Sequence, residues 1–344
     1  MADLTLEDIA SKAGVSRSTV SRVLNHQPNV RQDVRDRVWQ LIEQTGYHPN
    51  AAARTLASQR SWMIGLVLPK AVGNFFSDPY FPQLVSGIAQ ACNQNEYTLA
   101  LFMLDSREEE EKVYPRISRT GLLDGILVQA GFSGDHLVER LVTSNMPLVH
   151  LGRPLHARDV TYIDVDNISG AKTAVKHLIN LGRKRIALIG GPLLSTAAMD
   201  RAQGYREALE EAGITPDEQW MRHGDFTESS GFSCMQELLS TAPDAVFTTS
   251  DAQAYGAIRA ITAAGLNIPA DIAVVGFDDL PTMQPAIPDL GLTTVRQPIF
   301  EFGAQAVSLL MEVINSPAGE HPNRMIETSL LVRDTCGSGD RAFV

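Results

Sequence analysis

The sequence predicts a small all-α head followed by a larger α/β body of two Rossmann-like lobes. The first 57 residues place apolar side chains at helical spacing, whereas short apolar runs alternate with amphipathic helices from Trp62 onward. The second pattern restarts near Tyr162 and so divides the body in two. A chain of 344 residues also exceeds the size at which a single core keeps growing.

The first predicted helix follows Thr5. Thr5 can cap this helix with Asp8 in the reciprocal position, and four apolar residues then share one face: Leu6, Ile9, Ala10 and Ala13. Gly14 can adopt the left-handed backbone conformation that ends a helix and turns the chain sharply. The pattern therefore predicts a tight connection to a second helix.

Ser16 is expected to cap the second helix, and a third is predicted over residues 30–45. On the second helix, Val20, Val23 and Leu24 face inward. The outward face of its first two turns therefore carries Arg17, Ser18, Ser21 and Arg22. Arginine can donate two hydrogen bonds to guanine, and serine offers one adaptable bond. This arrangement is typical of a DNA-binding helix-turn-helix; the alternative is a helical hairpin with a solvated polar face.

Several segments carry a resemblance that extends over the entire chain: Ala13-Gly14-Val15-Ser16, Thr19-Val20-Ser21-Arg22-Val23-Leu24-Asn25, Gly46-Tyr47 and Pro49-Asn50. They resemble the lactose-repressor (LacI/GalR) family. The resemblance implies a hinge helix over 50–57 that folds on operator DNA with Leu56 as a minor-groove wedge; a plain linker is the alternative. The expected DNA contacts are Thr5, Leu6, Ser16, Arg17, Ser18, Thr19, Ser21, Arg22, Asn25, Asn50, Ala53, Arg54 and Leu56.

The charge is unevenly distributed along the chain. The formal net charge is -11, but residues 1–60 carry +2 and the remainder -13. A basic head on an acidic body directs DNA to one end. Because +2 is weakly basic, we expect a homodimer that binds a near-palindromic operator through two heads.

The body is predicted to contain parallel sheets covered on both faces, because its apolar runs are continuous and rich in β-branched residues. The predicted strands are 63–68, 97–103, 125–129 and 148–151, then 185–189, 245–248 and 272–277. By the family resemblance, the body is similar to periplasmic sugar-binding proteins, with chain crossings near 161–163, 292–295 and 322–325. The expected domains are 1–48 (head), 49–61 (hinge and linker), 62–162 with 294–323, 163–293 with 324–336, and 337–344 (tail).

A ligand in such a body is expected between the lobes, at the carboxyl ends of the strands. The loop Asp78-Pro79-Tyr80-Phe81 resembles an Asn-Pro-Phe-Phe loop of the family, Arg201 and Asp278 match its effector-binding arginine and aspartate, and Ser250 stands where many members have Asn. The expected effector contacts are Asp78, Tyr80, Phe81, Gln129, Asp166, Arg201, Phe226, Ser250, Asp251 and Asp278. Taken singly, each could be a cap, a turn residue or a core aromatic. Together they favour a mono- or oligosaccharide, with a purine or nucleoside as the alternative.

Other classes of protein fit the sequence less well. It lacks Gly-x-Gly-x-x-Gly, a Walker-type loop and Gly-x-Ser-x-Gly, and its eight histidines and three cysteines have no metal-ligand spacing. We therefore expect no enzyme activity, cofactor or metal. No apolar run approaches the length of a membrane helix, and no signal-peptide pattern opens the chain, which favours a cytoplasmic regulator over a secreted solute-binding protein.

The sequence indicates candidate dimer surfaces only loosely. Helices over 81–93 and 106–119, with the 280–290 region, are possible interface elements. The tail contains no leucine heptads, which disfavours a tetramerising coiled coil.

Overall fold

The computed structural model contains two compact units, residues 1–61 and 62–344. The structure describes residues 4–24, 29–47, 60–68, 75, 78–104, 106–118, 121–129, 136–156, 159–280, 290–316 and 322–337.

The head contains three described helices: α1 (Leu6–Ala13), α2 (Arg17–Leu24) and α3 (Gln32–Thr45). The predicted caps are present. The Thr5 N–H donates to Asp8 Oδ2 at 2.8 Å, and the Asp8 N–H donates to Thr5 Oγ1 at 3.3 Å. Gly14 ends α1 with φ 65°, and Ser16 Oγ accepts the Thr19 N–H at 3.2 Å at the start of α2. The first turns of α1 and α2 are thus fixed by local hydrogen bonds.

The three helices enclose a small core: Ile9, Ala10, Ala13, Val20, Val23, Val38 and Tyr47. Trp39 remains 38% exposed at its edge. Arg17, Ser18 and Arg22 are exposed on the outer side of α2, as the helical spacing predicted. The polar face of α2 is therefore free of the core's packing.

The body alternates strands and helices in chain order: β1 (Met63–Leu68), α4 (Tyr80–Gln94), β2 (Thr98–Met103), α5 (Arg107–Ile117), β3 (Gly125–Gln129), α6 (His136–Thr143), β4 (Leu148–Leu151), β5 (Tyr162–Val165), α7 (Asn167–Asn180), β6 (Ile186–Gly190), α8 (Thr196–Glu211), β7 (Met221–His223), α9 (Glu228–Leu238), β8 (Ala245–Thr248), α10 (Asp251–Ala263), β9 (Ala273–Asp278), β10 (Thr293–Arg296), α11 (Ile299–Asn315), β11 (Arg324–Ile326) and β12 (Ser329–Leu331). Short 3₁₀ turns cover Glu218–Trp220, Leu239–Thr241 and Asp334–Cys336.

The strands form two six-stranded sheets, one in each lobe. The first sheet has the order β11-β5-β4-β3-β1-β2 and the second has β12-β10-β9-β8-β6-β7. All pairings are parallel except β10 with β12. The central strands are buried, since helices cover both faces of each sheet, as the apolar runs predicted. Parallel order places the carboxyl ends of the central strands at one edge of each lobe.

The chain changes lobe later than we expected at each of three crossings. β5 still belongs to the first sheet, and β10 still belongs to the second. The crossings therefore fall at 165–167, 296–299 and 326–329, instead of 161–163, 292–295 and 322–325. Each expected crossing overlapped an unpredicted strand of only three or four residues, and so few residues give little alternation from which to recognise a strand.

Helix α4 is a core element of the first lobe on its apolar face. Its apolar face packs against α11, with Leu84 and Ile88 fully buried. The helices approach closely at Gly87, where an added Cβ would overlap the carbonyl oxygen of Phe300, and at Gly303. Glycine is required at both positions because the backbone of the neighbouring helix occupies the space that a side chain would need.

Candidate functional site

Arg201 lies at the centre of the polar cluster between the lobes. It is only 5% exposed, and its Nε donates to Asn167 Oδ1 at 2.8 Å. Nη1 donates to the Thr249 carbonyl at 2.6 Å and to Asp278 Oδ1 at 3.2 Å. The guanidinium carbon also lies 3.7 Å from the centre of the Phe277 ring. These contacts fix the plane of the guanidinium and neutralise its charge.

Asp278 is the carboxylate that Arg201 holds in place. It ends β9, is 6% exposed, and also accepts a 2.5 Å hydrogen bond from Gln297 Nε2 on the second crossing. Burial raises the pKa of Asp278 to about 6, although the Arg201 guanidinium acts in the opposite direction. Asp278 is therefore ionised at neutral pH and can accept hydrogen bonds from a ligand's hydroxyl groups.

The first lobe contributes residues to this cluster from the loop at the start of α4. The Tyr80 N–H donates to Asp78 Oδ1 at 3.1 Å, in an Asx-type turn. Burial raises the pKa of Tyr80 well above its usual value, and the nearby Asp278 carboxylate raises it further while Arg201 opposes this. The charge of Asp78 likewise raises the pKa of Asp278. Asp78 and Tyr80 therefore lie within electrostatic reach of the Arg201–Asp278 pair from the opposite lobe.

A second ion pair lies beside the first. Arg153, which follows β4, donates from Nε and Nη2 to both oxygens of Asp200, at 3.1 and 2.6 Å. Its own N–H donates to Asp164 Oδ2 at 2.8 Å. Burial raises the pKa of Asp164 despite hydrogen bonds from the N–H groups of Arg153 and Val165. The cluster thus contains four carboxylates, Asp78 included, and two arginines, each paired with one carboxylate.

Phe226 and Gln129 lie at the strand ends of the two lobes. Phe226 has a left-handed backbone with φ 67°, and its ring packs on Gly191, where an added Cβ would overlap the ring. Gln129 ends β3 and is partly buried, and its Oε1 makes no hydrogen bond to a residue that the structure describes. A half-exposed ring and an unpaired amide oxygen are features that a ligand can use.

Three expected contact residues have partners within the protein. Asp166 Oδ1 caps α7 by accepting the Ser169 N–H at 2.9 Å, and Ser250 Oγ caps α10 by accepting the Gln253 N–H at 3.2 Å. Phe81 is 8% exposed and packs in the core of the first lobe. These three side chains therefore contribute to helix caps and core packing.

Asp251 is a buried carboxylate next to the Arg201–Asp278 pair. It is 1% exposed and accepts hydrogen bonds from Thr294 Oγ1 at 2.5 Å and from the Leu280 N–H at 2.8 Å. Burial, and then the charge of Asp278, raises the pKa of Asp251 well above its usual value. Asp251 therefore holds the loop that follows Asp278.

Sequence reasoning missed six residues of this cluster: Arg153, Asp164, Asn167, Asp200, Thr249 and Gln297. The position of Arg153 directly after a correctly predicted strand was an available signal. Asp164 and Gln297 were not predicted because they lie in or next to the short strands β5 and β10. Asp200 was not predicted because it lies in the first turns of a helix, where an acidic residue is common.

The candidate DNA contacts divide into described and undescribed residues. Arg17, Ser18 and Arg22 are exposed on α2, and Thr5, Ser16 and Ser21 are at least partly exposed nearby. Ser16 Oγ lies 2.8 Å from the hydroxyl oxygens of both Ser18 and Thr19, and Leu6 is partly buried. Five further candidates lie outside the described residues: Asn25, Asn50, Ala53, Arg54 and Leu56.

Neither a metal-binding cluster nor a membrane-spanning helix is found among the described residues. The described His, Cys, Asp and Glu side chains form no group of three or more that could hold a metal ion. Among the described helices, none has both the length and the apolar character needed to span a bilayer.

Comparison with known proteins relates both units to one kind of regulator. Residues 5–50 match the family model described as bacterial regulatory proteins, lacI family, and residues 175–336 match a periplasmic binding protein-like domain. The HTH-type transcriptional regulator CelR of Thermobifida fusca is 38% identical over 335 residues, covering 96% of this chain and 98% of that protein.

Solved structures agree with these matches. A transcriptional regulator CelR-cellobiose complex has a TM-score of 0.74 and 35% identity, covering 96% of this chain and 99% of that one. The lac repressor dimer bound to operator and the anti-inducer ONPF has a TM-score of 0.79 and 29% identity, covering 97% and 99%. The similarity therefore extends over both the head and the body.

Proposed function

The chain belongs to the LacI family of bacterial regulatory proteins, and we propose that it is a transcriptional repressor whose operator affinity is set by a neutral saccharide bound between its lobes. The observation that carries this proposal is the buried Arg201–Asp278 pair, which faces Tyr80 and Asp78 from the other lobe. The capped helix pair of the head supplies the means of binding DNA.

The exposed face of α2 supports sequence-specific DNA binding. Arg17 pairs with Glu7 at 3.0 Å, but both side chains are more than half exposed. Such a surface pair contributes at most about 1 kcal/mol, so Arg17 can exchange Glu7 for a base edge at little cost. Ser18 and Arg22 extend the same face. The hinge helix over 50–57, with Leu56 as its wedge, remains part of this proposal by the family resemblance alone.

The charge of the cleft favours a neutral ligand. Arg153 and Arg201 are each paired with a carboxylate, while Asp78 and Asp164 add further negative charge. A sugar phosphate would meet no unneutralised arginine within this cluster and would be repelled. Saccharide hydroxyls, in contrast, can donate to Asp278 and Gln129, and a sugar ring can pack on Phe226. The cellobiose in the related complex makes a disaccharide a reasonable first ligand to test.

We propose that the protein acts as a homodimer joined through its body. The edge strand β2 is a better candidate surface than α4, because it is apolar yet partly exposed: Thr98-Leu99-Ala100-Leu101-Phe102-Met103. Leu101 is 38% exposed. Monomeric proteins usually protect such an edge with charge, proline or a covering element. We place this regulator in the cytoplasm, where operator DNA would be accessible.

A thermal-shift screen of the full-length protein tests the effector class. Cellobiose, other mono- and disaccharides, sugar phosphates and nucleosides are compared at equal concentration, because a ligand that binds only the folded state raises the melting temperature. We expect a neutral saccharide to stabilise the protein and Asp278→Asn to abolish the shift. Glu210→Gln, an exposed change on α8 away from the cluster, is the matched control. Stabilisation by a sugar phosphate or a nucleoside alone would contradict the proposed ligand class.

Operator binding is tested separately by selecting sequences from a random duplex library. A near-palindromic consensus with two half-sites is expected for a symmetric dimer. An effector identified in the screen should change operator affinity, and operator should change effector affinity by the same factor. A failure to select any sequence would contradict the proposed repressor function, whatever the thermal screen showed.

A further inference from the structure

Arg153 joins the two lobes through contacts made by its backbone and its side chain. Its N–H donates to Asp164 Oδ2 at 2.8 Å, which fixes the residue to β5 within the first lobe. Its carbonyl accepts a 2.7 Å hydrogen bond from Thr196 Oγ1, on the first turn of α8 in the second lobe. The backbone of Arg153 alone thus contacts both lobes, in addition to the contacts of its side chain.

The side chain completes the bridge with a two-pronged ion pair. Nε and Nη2 reach the two oxygens of Asp200 at 3.1 and 2.6 Å, which is the parallel geometry that arginine and carboxylate prefer. The Asp200 side chain is 12% exposed and that of Arg153 is 37% exposed. The pair is therefore partly shielded from water, but dissolved salt can still screen its electrostatic attraction.

The location of this pair connects it to ligand binding. Asp200 and Arg201 are consecutive on α8, so the helix turn that carries the interlobe contact also carries the arginine that positions Asp278. Moving the lobes apart would break the Arg153–Asp200 pair and remove Tyr80 and Asp78 from the Arg201–Asp278 pair. Contacts from both lobes are available to a ligand only when the lobes are together.

We propose that Arg153 and Asp200 form an interlobe clasp that sets effector affinity by stabilising the closed arrangement of the lobes before the effector binds. This inference rests on the proposed function, because it concerns the same cleft. If only the closed arrangement binds, the apparent dissociation constant is the intrinsic constant divided by the closed fraction. Arg153 and Asp200 are then positioning residues that act without contacting the effector.

The neutral ligand gives the clasp a distinctive signature. A neutral saccharide has no charge of its own to be screened, so salt should affect its affinity mainly through partly exposed ion pairs that control closure. Effector affinity of the wild type should fall as salt rises, and this dependence should disappear when the clasp is removed. A purely structural role for either residue would not produce that change.

The first experiment measures lobe separation without any ligand. Spin labels are attached at Ser86→Cys on α4 and Glu210→Cys on α8, both exposed positions, and labelled protein is diluted with unlabelled protein so that each dimer carries one labelled chain. We expect Asp200→Asn and Arg153→Gln to add a population with a longer distance, and the swapped pair Arg153→Asp with Asp200→Arg to reduce it. Arg259→Gln removes an ion pair with Glu228 inside the second lobe and is the matched control. Identical distance distributions in all variants would overturn the clasp.

The second experiment measures cellobiose affinity by calorimetry at low and high salt. Each single variant should bind about three- to tenfold more weakly, as expected for one partly shielded ion pair, and the swapped pair should recover most of the loss. If the single losses instead add in the swapped protein, the two side chains contact the sugar and the clasp is wrong. If wild type does not bind cellobiose, the saccharide proposal loses its first ligand, while the label distances still decide the clasp.

Discussion

Asp278 and Asp279 have backbone conformations that non-glycine residues rarely adopt, with φ 125° and 61°. Several side chains hold them there. Arg201 and Gln297 bind the carboxylate of Asp278, while Arg296 and Arg333 bind that of Asp279 at 2.7 and 2.6 Å. Strain of this kind persists where surrounding contacts over-determine the geometry, and it concentrates at binding sites. These contacts fix the conformations of Asp278 and Asp279 at the end of β9.

The raised pKa of Asp278 predicts a specific pH dependence of stability. Its pKa is about 6 in the folded protein, compared with an ordinary value of 3.8, so the native state binds more protons between these values. Protonated Asp278 therefore makes its full contribution to the free energy of unfolding below pH 3.8, and this contribution is lost as pH rises through about 6. We expect wild type to lose stability relative to Asp278→Asn across this window in urea-unfolding measurements. Parallel pH profiles of the two proteins would contradict the assignment.

Arg17 carries the prediction for base recognition. Arg17→Ala should change the free energy of unfolding by less than about 0.5 kcal/mol, because the ion pair of Arg17 with Glu7 is a surface contact. The variant should nevertheless relax base preference at one or two operator positions, each by about 1–3 kcal/mol. Selection from a random duplex library measures this change. Arg31→Ala, an exposed residue outside α2, should keep the wild-type consensus; an unchanged consensus for both would show that Arg17 does not read bases.

At the scale of elements, the contact between α4 and α11 depends on glycine. An added Cβ at Gly87 would overlap the Phe300 carbonyl oxygen, and neither helix backbone can move without disturbing the buried Leu84 and Ile88. Gly87→Ala should therefore destabilise the body by about 1–3 kcal/mol in urea unfolding. Ser86→Ala, on the exposed side of the same helix, should change stability by less than about 0.5 kcal/mol. Equal stability of the two variants would mean that the helices separate easily.

The elements also show which features could be predicted from sequence. Long apolar strands such as β1 and β3 were predicted at their exact bounds, because four or five consecutive buried residues form an unambiguous run. β7, β11 and β12 contain three residues each, which is too short for a period to be recognised. The same limit misplaced the lobe crossings and hid Asp164, although the residues flanking the longer strands were found.

For the whole molecule, local pattern predicted the head and the two-lobed body, but tertiary contacts decide which polar residues meet between the lobes. Asp251 and Asp278 both stand at strand or helix ends, yet only Asp278 is bound by Arg201. Helix α4 packs its apolar face against α11, which lies far later in the chain. Periodicity shows that a helix has an apolar face but not what covers it.

The β2 edge carries the prediction for assembly. Leu101 is exposed on an edge strand whose sequence is otherwise suited to burial, so a charge there should oppose pairing with a second copy. Leu101→Glu should weaken dimerisation at least about tenfold in sedimentation experiments, and operator affinity should fall because a single head makes half the phosphate contacts. Effector affinity should change little, since the cleft is built within one chain. Leu193→Glu places the same charge on an exposed leucine of the second lobe and should remain dimeric. If Leu101→Glu sediments as wild type does, the dimer forms through another surface of the body.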